Sequence, residues 1–171
     1  MKICLIDGEG TVVAALSDSN TGSVAFYKLK YNTIKKAKSP HNFLIKCMLY
    51  LRWNYFITGN FKGIVEIWNT KDLNSIHEQT IHSNAITKIE VSPCGKFFVT
   101  ASTDYSVVIM ELETKGIITK VNLYSAVKIL LYLKISSFLL IYCTRGFKIC
   151  NLSTSDTNII IQTKSIIKIA I

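Results

Sequence analysis

Charged residues are scarce in this chain, and acidic ones scarcer: Asp, Glu, Lys and Arg make up 18% of 171 residues, 11 of them acidic against 20 basic. With 49% hydrophobic residues, the composition is richer in apolar side chains than an average soluble domain, which excludes intrinsic disorder. No Cys-x-x-Cys spacing occurs, and the cysteines Cys4, Cys47, Cys94, Cys143 and Cys150 are odd in number and scattered. That pattern excludes a disulfide framework and a zinc site and points to a reducing, cytoplasmic setting. Gly-rich phosphate loops, paired-carboxylate motifs and metal-ligand spacings are missing too, so neither an enzyme nor a cofactor or metal is expected. Sustained helical periodicity is absent, and the opening MKICLIDGEG, broken by Asp7 and Glu9, lacks the pattern of a signal peptide.

A chain of this length fits one domain and buries enough surface for a real core. Its apolar content includes one stretch of membrane-spanning length, Ala126 to Cys143, but Lys134 falls in the middle. A lysine there costs about 2.5 to 3.5 kcal/mol, and Lys134 to Ser137 reads as a turn between two strands. The formal charge of +9 concentrates between Lys28 and Lys38, which makes a polyanion such as nucleic acid an alternative partner. The remaining lysines are dispersed, as they are on solvated strand edges. Cys143 and Cys150 flank a short hairpin, Thr144 to Phe147, where ordinary packing outweighs a redox pair.

Internal repetition decides the fold. Four segments of similar pattern close at Tyr27, Trp68, Met110 and Cys150, which stand 41, 42 and 40 residues apart. A second marker keeps the same period: apolar runs that end in small or hydroxyl residues at Ala14 to Ser17, Phe56 to Gly59, Val99 to Ser102 and Leu140 to Cys143. Each unit also has an earlier apolar strand, at Lys2 to Ile6, Ile45 to Leu51, Ile86 to Val91 and Val127 to Leu133, followed by turns such as Asp7 to Gly10 and Ser92 to Gly95. Adding a fourth strand in the tails (Thr33 to Lys38, Ser75 to Thr80, Ile117 to Val121) gives a four-stranded antiparallel unit each time.

The third unit carries a family likeness. Ile81 to Thr87 resembles the Gly-His opening of a WD40 blade, Ser92-Pro93-Cys94-Gly95-Lys96 resembles the Ser-Pro-Asp-Gly turn, and Thr100 to Glu111 resembles the segment that ends in Trp-Asp. The second unit adds His41, Thr58-Gly59-Asn60 and Ile67-Trp68-Asn69. The resemblance implies an all-β, partial WD40-type β-propeller with about four four-stranded antiparallel blades, in units of about 1–40, 41–81, 82–122 and 123–171. Four such blades are not expected to close a ring alone. The chain is then part of a longer protein, pairs with a second copy or a completing partner, or comes from a truncated reading frame.

In that family a buried His, Ser or Thr, Asp and Trp tetrad holds each blade together, since buried polar groups must satisfy one another. Carried over, the second unit supplies His41, Thr58 and Trp68 with Lys62 where Asp belongs, and the third supplies His82, Thr100 and Asp104 with Met110 where Trp belongs. His82 and Asp104 beside Thr100 or Ser102 also suggest an acid-base couple, although the repeat accounts for these residues without a substrate. Candidate partner-binding residues are Phe61, Lys62, Tyr105 and Arg145, in the turns between second and third strands where the family commonly binds partners, and Trp53 on the opposite face.

These features imply a non-catalytic, cytoplasmic scaffold that binds other proteins. A secondary likeness links Lys71-Asp72-Leu73, His82 to Thr87 and Glu9 to Ala14 to the membrane-anchored WD40 exchange factor that loads the small GTPase of the COPII coat. That alternative implies an endoplasmic reticulum membrane location and makes Ala126 to Cys143 an anchor helix. The nucleic-acid alternative implies a nuclear one.

Overall fold

β-Branched and aromatic residues favour a pleated, half-buried backbone, and strands form wherever the sequence groups them between turn residues. The computed structural model describes residues 2–5, 11–18, 21–28, 31–38, 43–51, 55–72, 74–133, 138–151 and 159–163. Among these, a first sheet comprises β1 (Lys2–Leu5), β2 (Thr11–Asp18), β3 (Thr21–Lys28) and β4 (Thr33–Lys38). The second comprises β5 (Ile45–Leu51), β6 (Tyr55–Asn60), β7 (Ile64–Asn69) and β8 (Ser75–Thr80). β9 (Ile86–Val91), β10 (Phe97–Ser102), β11 (Ser106–Glu111) and β12 (Ile117–Asn122) make the third, and β13 (Val127–Tyr132), β14 (Phe138–Cys143), β15 (Gly146–Asn151) and β16 (Ile159–Thr163) the fourth. Every sheet is an antiparallel meander in chain order, the all-β blade architecture expected from the repeat.

Position within a sheet sets the residue pattern. β7 and β11 lie between two neighbouring strands with sheets packed over them, so their first five residues are all buried. β8 is an outer strand and alternates half-buried with exposed residues, the period-two signature of a one-sided strand. Successive sheets stack through their first strands, β1 on β5, β5 on β9 and β9 on β13. One apolar core fills the space between the second and third sheets, with Ile57, Ile67, Ile86, Phe98, Val108 and Met110. Another fills the next gap, with Val99, Ile109, Leu130, Leu139 and Ile141. Among the described residues the stack does not close into a ring.

Turn chemistry closes the hairpins. Between β9 and β10 the Ser92 carbonyl accepts from Gly95 N at 2.8 Å, and the Ser92 hydroxyl accepts from Phe97 N at 3.0 Å. Gly95 takes a φ of 73°, which a side chain disfavours. Residues 127–132 and 138–143 form β13 and β14, which pair antiparallel, rather than one helix; no helix among the described residues is long and apolar enough to cross a membrane. Across the β14–β15 hairpin Cys143 pairs with Gly146 and Cys150 with Leu139, so the two cysteines are not cross-strand partners. Both are buried, and burial pushes each thiol up.

Candidate functional site

The turns β6–β7 and β10–β11 and the loops β8–β9 and β12–β13 lie at one end of the stacked sheets and are hydrogen-bonded to each other in series. Gly63 of the first turn accepts from Ile81 N at 3.1 Å and His82 N at 3.2 Å. Next, Asp104 of the second turn accepts from Ser83 N at 3.0 Å, and the Tyr105 carbonyl accepts from Leu123 N at 2.7 Å. Gly63 is fixed by this contact: its φ is +81°, and a Cβ there would lie 2.2 Å from the His82 carbonyl oxygen.

Below these turns the third sheet brings together three residues of the expected tetrad. His82 is 2% exposed; its Nδ1 faces Asp104 Oδ2 at 3.1 Å and its Nε2 faces Thr100 Oγ1 at 2.8 Å. A carboxylate only accepts, so the ring proton sits on Nδ1 and Nε2 accepts from the Thr100 hydroxyl. Ser106 and Ser83, which sequence reasoning missed, complete the cluster. The Ser106 hydroxyl donates to Asp104 Oδ1 at 2.6 Å and lies 2.9 Å from His82 Nδ1. Ser106 N donates to the same carboxylate at 2.9 Å, and Lys120 Nζ approaches it at 3.8 Å. Burial lowers the His82 pKa, Asp104 opposes this, and the net shift is downward, so the imidazole is neutral near pH 7. Burial alone would raise Asp104, but hydrogen bonds from Ser106 and Ser83 and the facing His82 hold its carboxyl well below the usual carboxylate range.

Hydroxyl, imidazole and carboxylate stand in the order of a nucleophile relay, yet Thr100 is 0% exposed. A substrate cannot reach a hydroxyl sealed under a sheet, so the arrangement serves to satisfy buried groups and lock the loops.

The second sheet assembles a different part of the set. Trp68 Nε1 donates to Thr58 Oγ1 at 3.0 Å, and the Thr58 hydroxyl donates to buried Glu66 Oε2 at 3.4 Å. Lys62 points to solvent where the tetrad would have Asp, and Asn60 closes the turn instead, its Oδ1 accepting from Lys62 N at 2.9 Å and Ile64 N at 3.0 Å. An Asn opening the turn is a readable Asx-turn signal; Glu66, inside an apolar strand, has no comparable one. Met110 is fully buried in the Trp position of the third sheet. His41 and Trp53 lie outside the described residues.

Above this base, side chains project to solvent. Phe61 is 48% and Tyr105 51% exposed, and Lys62 and Arg145 are exposed as well. One backbone angle separates the turns: the residue with positive φ is Gly63 (81°) in the second sheet and Gly146 (139°) in the fourth, but Tyr105 (63°) in the third. A bulky residue in the left-handed region is a genuine outlier.

A family model described as eukaryotic translation initiation factor eIF2A matches residues 8–115, more than half of the chain. Among curated proteins, the p21-activated protein kinase-interacting protein 1-like of Gallus gallus is 25% identical over 89 residues, 52% of this chain and 24% of that protein. Its counterpart from Danio rerio is 24% identical over 123 residues, 60% of this chain and 33% of that protein. The chain thus spans at most about a third of the length of either relative. Among solved structures, the WD40 domain of Toxoplasma gondii coronin superposes with a TM-score of 0.72 at 14% identity, covering 84% of this chain and 40% of that one. That likeness establishes the WD40 fold.

Proposed function

Because the chain belongs to the family of eukaryotic translation initiation factor eIF2A, a WD40-type β-propeller family, we propose that it is a non-catalytic protein-interaction scaffold. The face that receives partners is the end bearing Phe61, Lys62, Tyr105 and Arg145. The observation that carries this reading is the contrast at that end between base and surface: hydrogen-bonded loops locked by buried His82 and Asp104, with aromatic and cationic side chains raised above them. Rigid loops lose little freedom on binding, and aromatic and arginine side chains dominate interface energetics. The relatives named for an interaction with a kinase support protein binding as the general role.

The finer proposal is a cytoplasmic subunit or segment of a larger assembly. It is supported by the apolar side chains Ile129, Leu131 and Leu133, 39% to 45% exposed on the fourth sheet, where each preceding sheet meets another sheet. The exchange-factor alternative gains no support, since the stretch it needs as a helix folds into β13 and β14.

In-cell photocrosslinking tests the reading, with a benzophenone amino acid at Arg145 or, at the opposite end, at Lys71. Discrete, nuclease-resistant protein adducts from Arg145 and none from Lys71 are the expected result. Equal yields from both positions, or none from Arg145, overturn it, and nuclease-sensitive adducts favour the nucleic-acid alternative.

A further inference from the structure

We propose that the end of the second and third sheets docks an acidic peptide segment, its carboxylates on Lys46 and Lys62 and its apolar side chains between Phe61 and Tyr105. This rests on the scaffold reading and names the chemistry of the partner.

Three observations carry it. First, two ammonium groups converge on one exposed ring: Lys46 Nζ and Lys62 Nζ each lie 5.9 Å from the Phe61 centroid, and Lys62 is also 5.9 Å from the Phe43 centroid. Aromatic rings hold ammonium groups in place without neutralising them. Neither lysine has a carboxylate partner among the described residues, so both remain available to an incoming anion.

Second, cations outnumber carboxylates at this end. Lys46, Lys62, Lys120 and Arg145 belong to the second to fourth sheets, against Asp104, whose side chain is 7% exposed and engaged by His82, Ser83 and Ser106, and the exposed Glu78 of β8, which stands at the strand position that Lys120 holds in β12. The surface field is therefore positive, which steers acidic partners and repels basic ones.

Third, Tyr105 occupies a left-handed backbone position that glycine, Gly63, fills in the second sheet. Its ring is half exposed and contributes little to either core, so folding gives no reason for a strained tyrosine there. Residues that break local rules without a folding benefit mark functional positions.

A peptide fits these features better than a nucleic acid. A nucleic acid needs a run of free cations to follow its phosphates, whereas Lys120 is held at 3.4 Å by the Ile81 carbonyl and at 3.8 Å by Asp104.

The test titrates the full chain against a labelled peptide of alternating Glu and Leu, its Gln-Leu counterpart and an oligothymidylate, by fluorescence anisotropy. The acidic peptide is expected to bind about tenfold tighter than the Gln version. The paired change Lys46→Glu and Lys62→Glu, both at exposed positions, is expected to abolish that preference, and Tyr105→Gly to weaken binding with the circular dichroism spectrum unchanged. Equal affinities for the two peptides, a preference that survives charge reversal, or tighter oligothymidylate binding overturns the inference. Should Arg145 still crosslink to protein in that event, this inference falls and the scaffold reading stands; loss of both removes both.

Discussion

In the second sheet a buried tryptophan donates to a threonine and no acid guards the turn; in the third a buried histidine bridges a threonine and an aspartate, and methionine takes the place of tryptophan. The two sheets share one backbone plan and one core, yet each keeps a different part of the polar set. What both preserve is satisfaction of the buried threonine, Thr58 by Trp68 and Thr100 by His82. Local hydrogen-bond satisfaction, rather than any fixed residue list, is therefore what the blade requires. The turn between the second and third strands follows the same logic: Asp104 accepts from four groups of Ser83 and Ser106, while Asn60 accepts from two backbone amides.

The largest break in this comparison is expected from Asp104→Ala. Removing the carboxylate leaves buried His82 and the Ser83 and Ser106 donors without their acceptor, a loss of about 3 to 5 kcal/mol by analogy with buried pairs deprived of one partner. The matching change Lys62→Ala, at the same position of the second sheet but in solvent, is expected to move stability by less than about 0.5 kcal/mol. Urea unfolding of both variants checks the contrast, and equal losses would mean that the third-sheet network has no special role.

Met110→Trp comes next. It restores the residue of the second sheet and offers the Thr100 oxygen a donor beside the acceptor that His82 provides, but Met110 is fully buried in a filled core. Overpacking is expected to dominate, with a loss of about 1 to 3 kcal/mol. A gain in thermal midpoint instead would show that the third sheet holds room for the tryptophan and that its methionine is a defect.

Acidification separates the sheets by another route. The folded pKa of His82 lies below its ordinary 6.5 because burial disfavours the imidazolium. Between the two values the unfolded chain binds a proton that the folded chain refuses, so stability falls as pH drops below about 6.5, by at most about 1.4 kcal/mol per pH unit. Asp104, depressed in the fold, adds a second loss only as pH falls below the ordinary carboxylate value near 3.8. His82→Gln is expected to remove the upper window and leave the lower one, as read from unfolding midpoints across pH.

Much of this molecule was legible in the sequence because repetition reports fold directly. The positions of Tyr27, Trp68, Met110 and Cys150 fall on the third strand of each sheet, and their common period could arise only from equivalent strands. His82, Thr100 and Asp104 stood out for the same reason, through the spacing of the third unit. Ser106 and Glu66 did not, because a serine opening a strand and a lone acid within one have no periodic signature; Glu66 meets Thr58 only through the register of β6 on β7, and Ser106 meets His82 only when the β8–β9 loop folds over the β10–β11 turn. Nor could composition reveal the backbone angle of Tyr105, since φ belongs to the turn and not to the residue.

That angle yields the smallest expected effect and the sharpest comparison. A tyrosine in the left-handed region costs about 1 to 3 kcal/mol, and Tyr105→Gly removes that strain while giving the unfolded chain more freedom, worth about 0.4 to 1 kcal/mol in the opposite direction. The opposing terms are expected to leave stability unchanged or raised by about 1 kcal/mol, measured by thermal unfolding. A half-exposed side chain whose removal costs the fold nothing is held there by something other than folding. A clear loss of stability in Tyr105→Gly would instead assign the ring a packing role over the β12–β13 loop, where its carbonyl already receives Leu123, and the strained turn would then be an ordinary part of the third sheet.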